Sequence, residues 1–383
     1  MTGRPRVGVV GMAIRPCLAD DGHYTLEERL HLALKETLAD SGLGTDDLEG
    51  IVVAANDQYD GRAISIMMAS APLGGVGRDI LWTPSAGEHA FVLGALRIAS
   101  GQFRTQLVCA WSPTEASSIP EAQRLAADPY YHRRLPLDEL AAAALQAGVL
   151  EHAAPGTAGL AAEVLATNRA NGARAFPGLV QAAVQTGRPT RWPLREGMVP
   201  EPVTGVVALM LASEEFIEER ALGPVAWISG MGWATEPAFL GDRALASAPA
   251  LEAAAKQAYG EAGVTDAANA FDLAEITDVT AYQQLLALEA LGLAPRAEWR
   301  ARLGDFGPQG RLPVNLSGGV GSLNPVYCTG LIRIAEIANQ LRGRAGLHQK
   351  SGVKRGLAHA ASGPAMQYQT VVVLDAGSGR AAA

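Results

Sequence analysis

The chain has 383 residues, of which 48% are hydrophobic and 18% charged, enough apolar material for two compact domains or one large duplicated unit. Its formal net charge of −8, without a basic tract, excludes a nucleic-acid partner. Three cysteines (Cys17, Cys109, Cys328) do not make a disulfide framework, and no apolar run reaches the roughly 18 residues of a membrane helix. Without a charged-then-apolar leader before Val7, a soluble cytoplasmic protein with no metal centre is expected.

Val7–Ala13 is a short apolar run with glycines and predicts a buried strand. Thr25 and Glu28 form a capping box, and Leu26, Leu30, Leu34 and Leu38 then share one helical face. That helix stops at Ser41-Gly42, where glycine takes left-handed backbone readily. Ile51–Ala55 is the next strand, Ala86–Ser100 a helix rich in small residues, and Gln106–Trp111 another strand. Ser85 and Glu88 have the spacing of a second capping box, which assigns Ser85 to a helix cap and His89 to packing. Pro113–Leu222 is rich in Pro and Arg and holds Trp192, with alanine-rich helical stretches. Beyond it come a strand at Val225–Ile228, a helix at Pro249–Gly263, a strand at Asp272–Thr277, a helix ending near Arg342 and a last strand at Tyr368–Asp375. Alternation of strands and helices predicts a parallel sheet covered by helices. Residues 35–43 and 256–264 align without a gap, each followed by an acidic loop and a strand, so the chain reads as two related halves.

Asn315-Leu-Ser-Gly-Gly, followed by Gly321-Ser-Leu-Asn324-Pro-Val-Tyr327-Cys-Thr-Gly330, resembles the C-terminal signature of thiolases. In that signature Asn-x-Ser-Gly-Gly precedes Gly-His-Pro-x-Gly-x-Thr-Gly. The usual histidine is Asn324 here and the glycine three residues on is Tyr327. Glu275-Ile-Thr-Asp278, Tyr282 and Leu288-Glu289-Ala-Leu-Gly292 resemble the sterol-carrier-type branch of the family, although Thr280 replaces its usual aromatic residue. The resemblance implies an α/β thiolase fold, a duplicated five-layered αβαβα arrangement. Residues 1–222 would form the first half, with a loop domain inserted at about 113–210, and 223–383 the second half.

The same resemblance locates the site. Gly87, Ala90, Ile98 and Gly101 fit the helix that follows the nucleophilic cysteine, which puts Pro84 at the cysteine position. No cysteine lies between Cys17 and Cys109, so the acyl-cysteine route lacks its thiolate. Gly356-Leu-Ala-His359-Ala-Ala-Ser-Gly363 resembles the turn that carries a second catalytic cysteine, with Ala361 and Ser362 in its place. Asn324 can donate to an oxyanion but cannot shuttle a proton. The catalytic candidates are Tyr327 and Tyr282 as a proton-relaying pair, with Asp278 at the mouth of the site, Asn324 and His359. A relay by Tyr327 requires its pKa of about 10 to fall. For coenzyme A the candidates are Arg191, Trp192 and Arg195 in the loop domain and Ser317 and Gly318 in the motif.

Loss of both cysteines leaves thioester recognition and carbanion stabilisation. The expected reaction is retro-aldol cleavage of a β-hydroxyacyl-CoA, as in the cysteine-less thiolase-like aldolases of steroid side-chain degradation. The resemblance also implies a homodimer and a small OB-fold partner that binds acyl-CoA, with the thioester as substrate and no permanent cofactor. The alternatives are an acyltransferase using Ser85, and an inactive scaffold.

Overall fold

The computed structural model describes residues 5–16, 24–112, 118–184 and 186–377, so Cys17 and the first residues of the expected loop domain lie outside it. The strands are β1 (Val7–Pro16), β2 (Gly50–Ala54), β3 (Asp79–Thr83), β4 (Thr105–Ser112), β5 (Pro189–Arg191), β6 (Leu194–Arg195), β7 (Gly205–Ser213), β8 (Ala226–Thr235), β9 (Leu273–Ile276), β10 (Arg355–Ser362) and β11 (Tyr368–Ala376). The helices that matter below are α1 (Leu26–Ser41), α2 (Asp57–Asp60), α3 (Gly87–Ala99), α4 (Ile119–Ala126), α5 (Glu139–Ala153), α6 (Thr157–Ala175), α7 (Pro249–Ala262), α8 (Ala281–Ala290) and α9 (Thr329–Arg342).

Nine strands form one sheet in the order β3-β2-β4-β7-β1-β8-β11-β10-β9, with β5 and β6 a separate hairpin. Read outward from the middle, β1, β7, β4 and β2 are mirrored by β8, β11, β10 and β9. This is the duplication expected from residues 35–43 and 256–264. Among the described residues the two half-sheets pair through Gly8 with Trp227 and Val9 with Ala226. The sheet is mixed rather than parallel. β2 is parallel to β3 and β4, and β9 to β10. β7 returns antiparallel from the loop domain, and β11 returns antiparallel from β10 by a tight turn.

Period-two alternation divides the sheet between three cores. Ile51, Val53, Leu107 and Cys109 face α1, whereas Val52, Ala54, Val108 and Ala110 face a middle core with α3 and α9. In the second half Val372 and Leu374 join that middle core, while Val371 and Val373 face α7 and α8. The layers therefore run α1, first half-sheet, α3 with α9, second half-sheet, α7 with α8.

Helix α1 has the expected capping box, and it ends at Gly42 with φ 73°. Helix α7 ends equivalently at Gly263, φ 66°. Each presses on the first strand of its half through glycine. A Cβ on Gly11 would lie 2.6 Å from the Thr37 carbonyl oxygen, and on Gly230 2.1 Å from that of Ala258, the residue aligned with Thr37. Gly230 and Gly232 interrupt the apolar run that marks β8 in the sequence, which is why the strand reads as ending at Ile228. A Cβ at Gly232 would meet the Ala254 carbonyl oxygen at 2.0 Å. Gly232→Ala should therefore destabilise the protein by about 1–3 kcal/mol, because backbone has to move. Urea unfolding measures this, and an unchanged midpoint would refute the close packing.

The inserted helices belong to the outer core of the other half. Ala147 and Leu150 of α5 and Leu160 and Leu165 of α6 pack with Leu285 and Leu288 of α8. Across the seam, Arg342 at the end of α9 bonds the Asp40 carboxylate at 2.6 Å and the Val10 carbonyl at 2.8 Å. Among the described residues no helix is long and apolar enough to cross a membrane, and no cluster of His, Cys, Asp and Glu could hold a metal ion.

Candidate active site

The first turn of α3 lies against the loop that precedes α9. The signature motif does not continue the helix, because α9 begins at Thr329 and residues 315–328 form a buried loop ahead of it. Asn315 explains the first letter of the motif. At φ 54° its side chain stands in for a strand edge, with Oδ1 accepting from Ile276 N at 2.7 Å. Its Nδ2 donates to Gln284 Oε1 at 2.9 Å.

Ser317 and Gly318, expected near coenzyme A, are scaffold. Ser317 donates its backbone N–H and its hydroxyl to the two Glu275 carboxylate oxygens, and receives Arg333 Nη1 at 2.8 Å. Gly318 lies so close to Gly172 of α6 that a Cβ would approach its Cα to 2.4 Å. Asp278 is 1% exposed and not at the mouth of the site. Nor is it a helix cap, since Thr280 caps α8 in a capping box with Gln283. Instead its carboxylate accepts from Val320 N at 2.6 Å and from Asn168 Nδ2 at 2.8 Å. Burial raises its pKa to about 7.

Asn168 and Asn171, not picked out in the sequence, bolt α6 to this loop. Asn171 Nδ2 donates to the Asn315 carbonyl at 3.1 Å, and Asn168 O accepts from Ser322 Oγ at 2.9 Å. Their spacing of one turn in an alanine-rich helix was the available signal. Asn324 Nδ2 donates to the Pro200 carbonyl at 3.3 Å, so one amide hydrogen of the residue that replaces histidine holds the loop domain.

Tyr327 occupies a backbone position suited to glycine, with φ 73°. Its carbonyl accepts from Gly87 N at 2.8 Å, and its hydroxyl donates to the Pro84 carbonyl at 3.5 Å. The phenol is thus placed over the residue aligned with the missing cysteine. Asn56 Nδ2 donates to the same carbonyl at 3.3 Å, and the Tyr59 ring lies edge-on to Tyr327 at 4.8 Å. Asn56 and Tyr59 carry no local pattern that marks them as site residues. Burial raises the Tyr327 pKa well above the ordinary phenol value, Asn56 opposes it, and Glu88, Asp60 and Glu139 raise it further. The fall required for a phenolate relay is therefore reversed, and Tyr327 is a neutral O–H donor.

Tyr282 is not beside it. It packs in the outer core with Leu165 and Leu194, whereas Tyr327 packs with Tyr59, Ile119 and Ala122. Burial also raises the Tyr282 pKa. His359 lies on β10 rather than in a turn, on the face shared with Leu357 and Ala361 that meets α7 and α8. Gln369 donates its amide to the Met366 carbonyl at 2.6 Å, so its Oε1 accepts His359 Nε2–H at 2.8 Å. Nδ1 is left as a buried lone pair without a partner. Burial pulls this imidazole down to about 4. The depressed value gives stability that is present above about pH 6.5 and lost as pH falls towards 4, by up to about 3 kcal/mol. His359→Gln should remove that slope; urea unfolding at neutral and acid pH, compared between the two proteins, measures it.

Ser85 does not cap α3. The N-cap is Ala86, without a side-chain bond, and Ser85 Oγ instead lies 2.6 Å from His89 Nδ1. The His89 ring stands edge-on to Tyr368 at 5.8 Å. Cys109 and Cys328, the cysteines among the described residues, are buried with their thiols pushed up by desolvation, the opposite of a nucleophile.

A cleft of about 520 Å³ opens beside the loop domain, lined by Arg191 and Trp192 with Leu135, Leu145 and Phe239. Trp192 is 75% exposed. Arg195 turns away to the Gly187 carbonyl at 3.1 Å. Leu240 on the far wall packs on Ala365, in the turn between β10 and β11 whose far end carries Tyr368.

Residues 235–376 match the family described as thiolase C-terminal domain-like. Human sterol carrier protein 2 is 33% identical over 163 residues, covering 40% of this chain and 29% of that protein. The acetyl-CoA acetyltransferase of Methanothermobacter thermautotrophicus is 31% identical over 163 residues, covering 42% of each. The chain thus matches under a third of the length of sterol carrier protein 2. Among solved structures, the Ltp2-ChsH2(DUF35) aldolase superposes with a TM-score of 0.81 at 20% identity, covering 98% of this chain and 99% of that one. A monomeric SCP2-thiolase-like protein from Mycobacterium smegmatis gives 0.70 at 19% identity, covering 100% of this chain and 80% of that one. Together with the mirrored sheet and the paired helices of the middle layer, these likenesses show a thiolase-type fold and support kinship with thiolase-superfamily proteins of the sterol-carrier-protein-2 type.

Proposed function

We propose that the protein cleaves a β-hydroxyacyl thioester of coenzyme A by a retro-aldol reaction. The observation that carries this reading is the neutral phenol of Tyr327 standing over Pro84, where an acyl-transferring relative needs a thiolate. Cleavage of a carbon–carbon bond next to a thioester forms no acyl-enzyme. It needs an acceptor for the β-hydroxyl proton and a donor for the enolate that the broken bond leaves behind. Tyr327 suits the second task, because a phenol held neutral keeps its proton until a strong base such as an enolate claims it.

The cleft at Arg191 and Trp192 suits the coenzyme, with an indole for the adenine and a guanidinium for phosphate. Its apolar lining suits a bulky acyl group, and a steroid side chain falls within that class. The name of the aldolase with which this fold superposes pairs two components, which supports a complex with a small acyl-CoA-binding partner. A homodimer in the cytoplasm completes the proposal.

The test is mass spectrometry of products from a β-hydroxyacyl-CoA with a bulky β-substituent, using the chain co-expressed with its genomic neighbour. A ketone or aldehyde together with a shortened acyl-CoA supports the aldolase. Free coenzyme A, or an acyl mass gained by the protein, refutes it.

A further inference from the structure

The cleavage needs a proton acceptor, and Tyr327, held neutral, is not one. Ser85 follows Pro84 directly, and its hydroxyl lies 2.6 Å from His89 Nδ1, a distance short enough for a strong O–H···N hydrogen bond. Ser85 lies just ahead of the Ala86 N-cap and His89 in the first turn of α3, so the contact joins the entry of the helix to its first turn. Both residues are half-buried rather than sealed in the core. The Tyr327 hydroxyl lies on the carbonyl of the intervening Pro84, so donor and acceptor flank a single residue. Tyr368 holds the imidazole edge-on from β11. A serine that caps a helix spends its oxygen on a backbone N–H; Ser85 makes no such bond.

We propose that Ser85 and His89 together accept the β-hydroxyl proton of the substrate. This inference rests on the aldol reading above. The substrate O–H proton passes to Ser85 Oγ as the Ser85 hydrogen passes to His89 Nδ1, leaving an imidazolium. The O–H electron pair becomes the new C=O bond, the Cα–Cβ bond breaks, and its pair moves onto the thioester as an enolate. Tyr327 protonates the enolate carbon, and the tyrosinate then recovers a proton from His89 through solvent. Atoms and charge balance without a co-reactant, and Ser85 bonds no acyl group.

The experiment compares Ser85→Ala, His89→Gly and the double variant with the parent in the same product assay. Each single change should lower kcat about 100-fold with KM kept, and the double change should cost no more than either single one, because the pair acts as a unit. Added imidazole should restore part of the His89→Gly rate, which separates lost chemistry from a lost fold. If the parent cleaves and both single variants keep its rate, the inference fails while the aldol reading stands. An acyl group trapped on Ser85 overturns both, making the pair a nucleophile and its base. A parent that yields no cleavage product also removes both.

Discussion

Tyr327→Phe is expected to lower the cleavage rate by about 10²–10³-fold while leaving thioester binding and the fold intact. The substitution removes one oxygen, which makes a long contact to the Pro84 carbonyl and interacts with the Asn56 amide. It keeps the ring against Tyr59 and the backbone bond from Gly87. Little stability depends on the hydroxyl, so any large effect reports chemistry. Tyr327→Gly provides a second arm. At φ 73° glycine relieves backbone strain that a tyrosine bears, yet the proton donor is gone. Loss of turnover without loss of backbone stability in this variant would identify the phenol as the reason a side chain is tolerated there. Single-turnover product formation and thermal unfolding, measured side by side, settle the matter. A Tyr327→Phe protein that turns over at the parent rate takes Tyr327 out of the mechanism.

The largest change in stability is expected at Arg333. Its guanidinium and the Glu275 carboxylate are each 1% exposed and 2.8 Å apart, and Ser317 shares both. Arg333→Met should cost about 3–5 kcal/mol, since it strands a buried carboxylate whose desolvation is no longer offset. Burial already pushes the Glu275 pKa up against the pull of Arg333. Without the arginine the carboxyl therefore takes up a proton, and part of the loss should be recovered at lower pH. Glu275→Gln should cost less, because the amide keeps an acceptor for the Ser317 N–H. Urea midpoints measured across pH report the size and the sign. An Arg333→Met protein as stable as the parent would show that the pair contributes nothing to holding the motif loop.

The fold was legible where periodicity and capping chemistry agree. The leucines of α1, its capping box and its terminal glycine all point to the helix that forms, and the aligned segment at 256–264 repeats it. Parallel pairing was over-read, because alternation of strands and helices carries no information on the direction in which β7 and β11 return. The signature at 315–330 marked the loop that packs against the first turn of α3, but residue identity did not give orientation. Ser317, Gly318 and Asp278 are close to the reaction centre in sequence terms and turn inward to build the loop. His359 faces the outer core by strand alternation, which could not be read before the strand was known to run through it. Asn56, Tyr59, Asn168 and the Ser85–His89 pair depend on contacts between distant segments or on a cap that forms one residue later than its pattern suggests. None of these is written locally.

Among the described residues two residue pairs join the half-sheets, yet the carbonyl of Tyr327 in the second half takes the first helical N–H of α3 in the first. That single amide belongs to the proposed reaction centre and to the seam at once. Under the proposed mechanism neither half owns a complete set of reacting groups, since Ser85 and His89 come from one and Tyr327 from the other. A chain cut between β7 and β8 should therefore behave as two inert fragments whose activity returns only on reassociation. Turnover regained on mixing would then serve as a direct assay of how well the two halves recognise each other.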